Sequence, residues 1–407
     1  VSFRGSKIES ILIFAFLLTF IGCSGHSFTG AAPTSNQGHW LGYGGGFERR
    51  FRAETTTQTP LVEAWRFESD LCPWGMTVQD GVAVYAGLQH GIFGLDAATG
   101  EQLWSWTLPA TPAAAPEIVG DAVYLALDLP LGEVWCLDLL DGTRRWRQLT
   151  DELPRALVAD DGGVWVLSSR DLVRFRAIDG EPVEDHELPG RPLAGPPVLW
   201  DSEPVLMVKG LAGTGPWSPA WEKTVWFDGE PAAGPVVTAG DDLAWLDRNG
   251  ELGVYARGEE EPRFYATPLT APPAGMACTP EGLVLLGRDR SLAVAYDDGE
   301  MRPVLEPAAI CLAPPVVTGD LVWIAEAEGD LIAVDLASGE EVYRWATEKP
   351  VQGLTPSDGG LLVTTADGVG MLLVPAPVGA EVPVEEAVPV PEEGEGGEPS
   401  AGETVAP

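Results

Sequence analysis

Apolar residues along this chain fall in short runs, each following a Gly/Asp turn, and the runs recur. They are Val82-Ala83-Val84-Tyr85, Ala122-Val123-Tyr124, Gly163-Val164-Trp165, Pro204-Val205-Leu206, Leu243-Ala244-Trp245, Leu283-Val284-Leu285, Leu321-Val322-Trp323 and Gly360-Leu361-Leu362. Successive runs end 38 to 41 residues apart, a register that chance alternation does not hold over eight copies. Short apolar runs bounded by glycine and aspartate read as strands, not helices. A second marker trails the first: Leu95-Asp96-Ala97-Ala98-Thr99-Gly100-Glu101-Gln102-Leu103-Trp104 is echoed from Leu137 to Trp146 and from Val334 to Tyr343. Weaker copies are Ala177-Ile178-Asp179-Gly180 and Tyr296-Asp297-Asp298-Gly299. Each copy predicts a strand, a tight turn closed by Asp and Gly, and a further strand opening on an aromatic.

With a Pro/Ala-rich lead-in before each first strand, the unit is four short strands in about forty residues. One such sheet cannot bury both its faces, whereas a ring of them can. The pattern predicts an all-β fold, an eight-bladed β-propeller of four-stranded antiparallel blades over residues 59–376. The last unit ends after Met371-Leu372-Leu373-Val374 without an aromatic final strand, and Thr59 to Phe67 is a strand without a unit. This N-terminal strand is therefore expected to complete blade eight and remove two open sheet edges. Trp65, Trp104, Trp146 and Trp345 are expected at the seams between blades, as packing residues.

The Leu-Asp-x-x-x-Gly-x-x-x-Trp signature resembles the pyrroloquinoline-quinone-like (quinoprotein-type) propeller repeat. Dehydrogenases built on that repeat hold the quinone against a vicinal disulfide and a tryptophan, with calcium on carboxylate and amide ligands. Here Cys23, Cys72, Cys136, Cys278 and Cys311 include no adjacent pair, and no Asp-x-Asp-x-Asp-Gly calcium loop occurs. No cofactor is predicted, neither the quinone nor calcium. A quinone- or calcium-dependent sugar or alcohol dehydrogenase stays as the alternative, beside a glycan- or ligand-binding module of the cell envelope that uses the ring's central mouth.

Composition agrees with a turn-rich β protein: 49 Gly and 36 Pro accompany 15 Trp. The formal charge of −37, from 24 Lys+Arg against 61 Asp+Glu, repels phosphate backbones and argues against nucleic-acid binding. Residues 377–407 hold eight glutamates and no Lys or Arg among Pro, Gly, Ala and Val, and read as a disordered acidic tail.

At the other end, Arg4 and Lys7 precede the apolar run Ile11 to Ile21. That run is shorter than the roughly 20 residues of a stable membrane span, so residues 1–22 read as an export signal. Phe20-Ile21-Gly22-Cys23 resembles a bacterial lipobox, which implies lipidation of Cys23 and a flexible tether over 23–58. Propeller and lipobox together resemble the lipoprotein subunit of the outer-membrane β-barrel assembly machinery. The resemblance implies a non-enzymatic, monomeric protein-binding scaffold, anchored at the periplasmic face of the outer membrane, with a protein partner in the envelope.

Local chemistry adds little. His26, His39, His90 and His186 are scattered, and neither His-Glu-x-x-His nor Cys-x-x-Cys occurs, so no metal site is predicted. Four cysteines besides Cys23 permit three disulfide pairings, which the sequence leaves open; Cys136, inside a repeat strand, reads as a buried small hydrophobe. The glycine clusters at 42–46 and 213–215 lack the context of a phosphate loop and read as loop. In blade four the connection 209–221 looks about ten residues too long for a hairpin. Its Trp217 and Trp221 form a candidate partner-binding loop, or else fold back on blades four and five.

Overall fold

The structure, a computed structural model, describes residues 25–377 apart from 36–38, 70, 90, 129–131, 194, 231, 297–298, 348 and 359. The export signal, Cys23, His90 and the acidic tail beyond Pro377 lie outside the described residues. Eight antiparallel sheets stand in sequence order around a common axis. Blade one runs from the axis outward as Thr77–Gln79, Val82–Ala86, Gly91–Asp96 and Gln102–Thr107. All eight apolar runs that revealed the repeat are second strands, and their valines, leucines and tryptophans, apart from the half-buried Leu321, are buried between neighbouring blades. Trp104, Trp135, Trp245 and Trp323 are fully buried. An aromatic of this size removes about 150–250 Å² from water, roughly 4–6 kcal/mol of gross stabilisation each.

Leu61–Glu68 is the outer strand of blade eight, antiparallel to Val369–Pro375 with Trp65 opposite Leu372. The predicted closure is present. Trp65 then latches the next blade: its indole N–H donates to Ala97 O at 3.1 Å. Trp104 donates to Leu139 O and Trp146 to Ala177 O in the same way, each reaching the corresponding turn of the following blade, which in blade three opens on Arg176 in place of Asp. This explains the signature. The Asp side chain accepts from the turn amides, as Asp96 does from Ala98 and Thr99, while the Gly lets the incoming indole lie flat on the turn. A Cβ at Gly142 would stand 2.7 Å from the Trp104 ring. In blade seven the equivalent position is Tyr343, whose hydroxyl donates to Leu61 O, so the seam expected for Trp345 belongs to Tyr343; Trp345 lies two residues further on, half-buried.

Two expectations are corrected. The chain over 209–221 is not a loop: Glu203–Gly210 turns tightly at Leu211-Ala212 into Gly213–Trp217, the third strand of blade four. Glycine and proline disguise this strand, yet Gly215 faces Val225 O so closely that a Cβ would lie 1.7 Å from it. Trp217 is consequently buried at 8% exposure. The second correction concerns the tether. Gly25–Phe28 adds a fifth strand outside Gln102–Thr107, and residues 39–53 enter the ring itself.

Candidate functional site

Each first strand begins on one face of the ring, here the mouth face, and turns into its second strand on the opposite face. Residues 39–53 enter the axial channel from the opposite face as a hairpin. His39–Trp40 pairs with Val78 and Gln79 of blade one, and Arg52–Ala53 leaves parallel to Val316–Thr318 of blade seven. Between them the plug's carbonyls accept hydrogen bonds from inner-strand amides that a ring otherwise leaves unpaired. Ile118 N–H donates to Leu41 O, Leu199 to Phe47 O, Thr238 to Glu48 O, Cys278 to Arg50 O and Val317 to Phe51 O, at 2.6–3.1 Å. Trp40 and Phe51 are buried against the blades.

The tip turns through Tyr43–Gly45, where Gly44 and Gly45 have φ of 76° and 96°. Beneath it lies Arg49, fully buried. Its guanidinium donates to Tyr43 O at 2.6 Å, Glu117 Oε1 at 2.5 Å, Leu157 O at 2.9 Å and Pro197 O at 3.4 Å, tying the plug to blades two, three and four. Burial pushes the Glu117 carboxyl up to about 7, although Arg49 pulls it down. Gly42 must be glycine here, because a Cβ would stand 2.1 Å from the Glu117 carboxylate.

Above the tip the mouth opens as a funnel of about 480 Å³. Tyr43 and Arg49 form its floor, and Ala and Pro from the lead-ins to the inner strands form its walls, with Trp74 on one side. Arg155 and Arg288 stand on the rim, exposed and without an ion pair among the described residues. Glu117 is the one carboxylate among the described lining residues, so the funnel carries cationic excess on a chain of charge −37. The geometry suits an extended segment with apolar and acidic side chains.

Trp217 and Trp221 do not form one exposed loop. Trp221 is half-buried and packs between Trp200 and Tyr255, with ring centroids 6.0 and 5.8 Å away. Cys72, Cys136, Cys278 and Cys311 are free and buried in separate places. Burial pushes the thiols of Cys136, Cys278 and Cys311 up to about 12. No cluster of three or more His, Cys, Asp or Glu with metal-ligand geometry occurs among the described residues. The funnel residues Tyr43, Arg49, Glu117, Arg155 and Arg288 escaped the sequence reading. Trp40, Phe47 and Phe51 within a supposed tether were the available signal, since aromatic residues at that density imply packing.

A sequence model of the family described as outer membrane protein assembly factor BamB matches residues 62–210, the closing strand, blades one to three and blade four through its second strand. No curated protein matches the chain in sequence. Among solved structures, BamB from Moraxella catarrhalis aligns with a TM-score of 0.62 at 15% identity, over 77% of this chain and 100% of that one. The computationally designed Ika8 protein gives 0.61 at 13% identity, over 77% and 99%. The C-terminal WD40 domain of Sif2 gives 0.59 at 11% identity, over 80% and 100%. These structural likenesses establish the propeller fold, and the repeat match makes this a PQQ-like propeller resembling BamB.

Proposed function

We propose that the protein is a non-enzymatic scaffold in outer-membrane protein assembly, working at the periplasmic face of that membrane and anchored through a lipid on Cys23. The match of residues 62–210 to the BamB family carries this reading. The filled axis supports it: the chain's own segment 39–53 occupies the channel, leaving the mouth funnel and the outer surfaces for contact. A lipid on Cys23 would join the ring at the mouth-face end of blade one. Gly25 pairs there with Thr107, and two residues span at most about 7 Å. The mouth would then look toward the bilayer and toward membrane-embedded partners.

The test is capture from detergent extracts with full-length protein as bait. Recovery of a barrel-assembly protein, reduced at least tenfold by Arg155→Glu with Arg288→Glu, is the expected result. Recovery of no membrane partner by the unaltered chain would sink the scaffold reading. Trp221→Ala, run in parallel, shows whether that half-buried ring contributes. In the same cells, Cys23→Ser should move the protein from the membrane to the soluble fraction.

A further inference from the structure

The seam between blades five and six differs from the tightly latched ones. A Cβ on the turn glycine would stand 2.5–2.7 Å from the latching tryptophan at Gly100, Gly142 and Gly180. At Gly299 of blade six the facing aromatic is Tyr265, and the distance is 3.4 Å. The smaller ring leaves a radial groove of about 510 Å³, within the range of built ligand sites. It opens beside the hairpin turns Gly240-Asp241 and Pro280-Glu281, on the face opposite the mouth.

Three guanidiniums line this groove, Arg50 and Arg52 from the outgoing arm of the plug and Arg263 from the outer strand of blade five, together with the carboxylates of Asp241 and Asp242 at the blade-five turn. Each has an acidic neighbour at the surface, and Arg263 has two, since Glu259 lies 3.5 Å from it. Arg50 pairs with Glu48 at 2.9 Å, Arg52 with Glu54 at 3.2 Å and Arg263 with Asp242 at 3.4 Å. Glu54 is 87% exposed, and solvent-exposed pairs of this kind are weak and exchange readily. The Nε–H of Arg52 is buried without an acceptor among the described residues, which a native site rarely tolerates. Tyr265 and Tyr296, both half-buried, supply aromatic surface along the groove.

The chain carries a complementary segment. Pro375 pairs with Leu61, so the chain leaves blade eight on the same face as this groove. Residues 388–395 read Val-Pro-Val-Pro-Glu-Glu-Gly-Glu, two prolines suited to tyrosine rings and three carboxylates for three guanidiniums. The ten residues 378–387 between them span up to about 33–36 Å. We infer that residues 388–395 of the acidic tail dock in the groove between blades five and six, against Arg50, Arg52 and Arg263. This assignment is independent of the scaffold reading and concerns the opposite face.

The experiment uses full-length chains and a fluorescein-labelled peptide of residues 387–396, read by anisotropy at low salt. In one chain Glu392, Glu393 and Glu395 are changed to Gln, releasing the tail. The peptide should bind this chain at least tenfold more tightly than the unaltered one, whose tethered tail competes at millimolar effective concentration. Adding Arg50→Gln and Arg263→Gln should abolish binding, and raising the salt to about 0.5 M should weaken it severalfold. Equal binding to the unaltered and Glu→Gln chains, or none to the latter, would overturn the assignment. So would binding that survives the arginine changes. A dimer in sedimentation that dissociates on the Glu→Gln changes would overturn docking within one chain, assigning the tail to a second copy's groove.

Discussion

Arg49→Met tests whether the plug is held by its buried ion pair. The substitution keeps most of the side-chain volume while removing four donated hydrogen bonds and leaving Glu117 without its cation. Breaking one partner of a buried pair costs about 3–5 kcal/mol. With unfolding entropy near 2.1 cal/mol/K per residue over about 350 residues, 1 kcal/mol shifts Tm by about 1.4 °C, so the expected drop is about 4–7 °C. The sign of the pH dependence follows from Glu117. Its carboxyl is raised from 4.5 to about 7 in the folded protein, so the folded state holds a proton that the unfolded state releases. The associated stability is present below 4.5 and is lost as pH rises toward 7. Arg49 opposes that rise, so its removal lifts Glu117 further and deepens the deficit at high pH. Calorimetry at pH 5.5 and pH 8 should therefore show a larger Tm loss at pH 8. Adding Glu117→Gln should recover at least half of it, because no charge then remains buried. A Tm unchanged within 1 °C at both values, or a greater loss at pH 5.5, would refute the reasoning.

Two further outcomes follow from the seams and the thiols. Trp104→Ala removes a fully buried indole and its bond to Leu139 O, and should cost about 3–5 kcal/mol, whereas Trp345→Ala, away from the latch, should cost less than half as much by chemical denaturation. In a Cys23→Ser background, an aromatic disulfide reagent at pH 8 should react with none of Cys72, Cys136, Cys278 and Cys311 until the protein unfolds, then with all four; rapid labelling of the native protein would contradict their burial.

The ring was legible because its information is local and repeated. Each second strand carries its own apolar run, and each Asp-x-x-x-Gly turn its own glycine. Blade-eight closure was legible from a missing strand at one end and a spare one at the other. The plug was not legible. Its residues have no period, and Arg49 finds Leu157 and Pro197 across 108 and 148 residues of sequence. Gly213-Thr214-Gly215-Pro216-Trp217 has the composition of a loop, and only the neighbouring backbone at Val225 shows why glycine is required in that strand. Tyr343 occupies the position that the eight-residue Asp-to-aromatic spacing marks, but Trp345 two residues on is the larger aromatic and masks it in the sequence.

Hydrogen–deuterium exchange over residues 39–68 and the inner strands tests the central claim, a ring closed by an early strand and filled by the segment before it. The account predicts slow exchange for Leu61–Glu68, matching the other blades. It also predicts protection at Ile118, Leu199, Thr238, Cys278 and Val317, whose amides bond to the plug. Unprotected exchange across 61–68 and at those five amides, in a protein whose other strands stay protected, would contradict it.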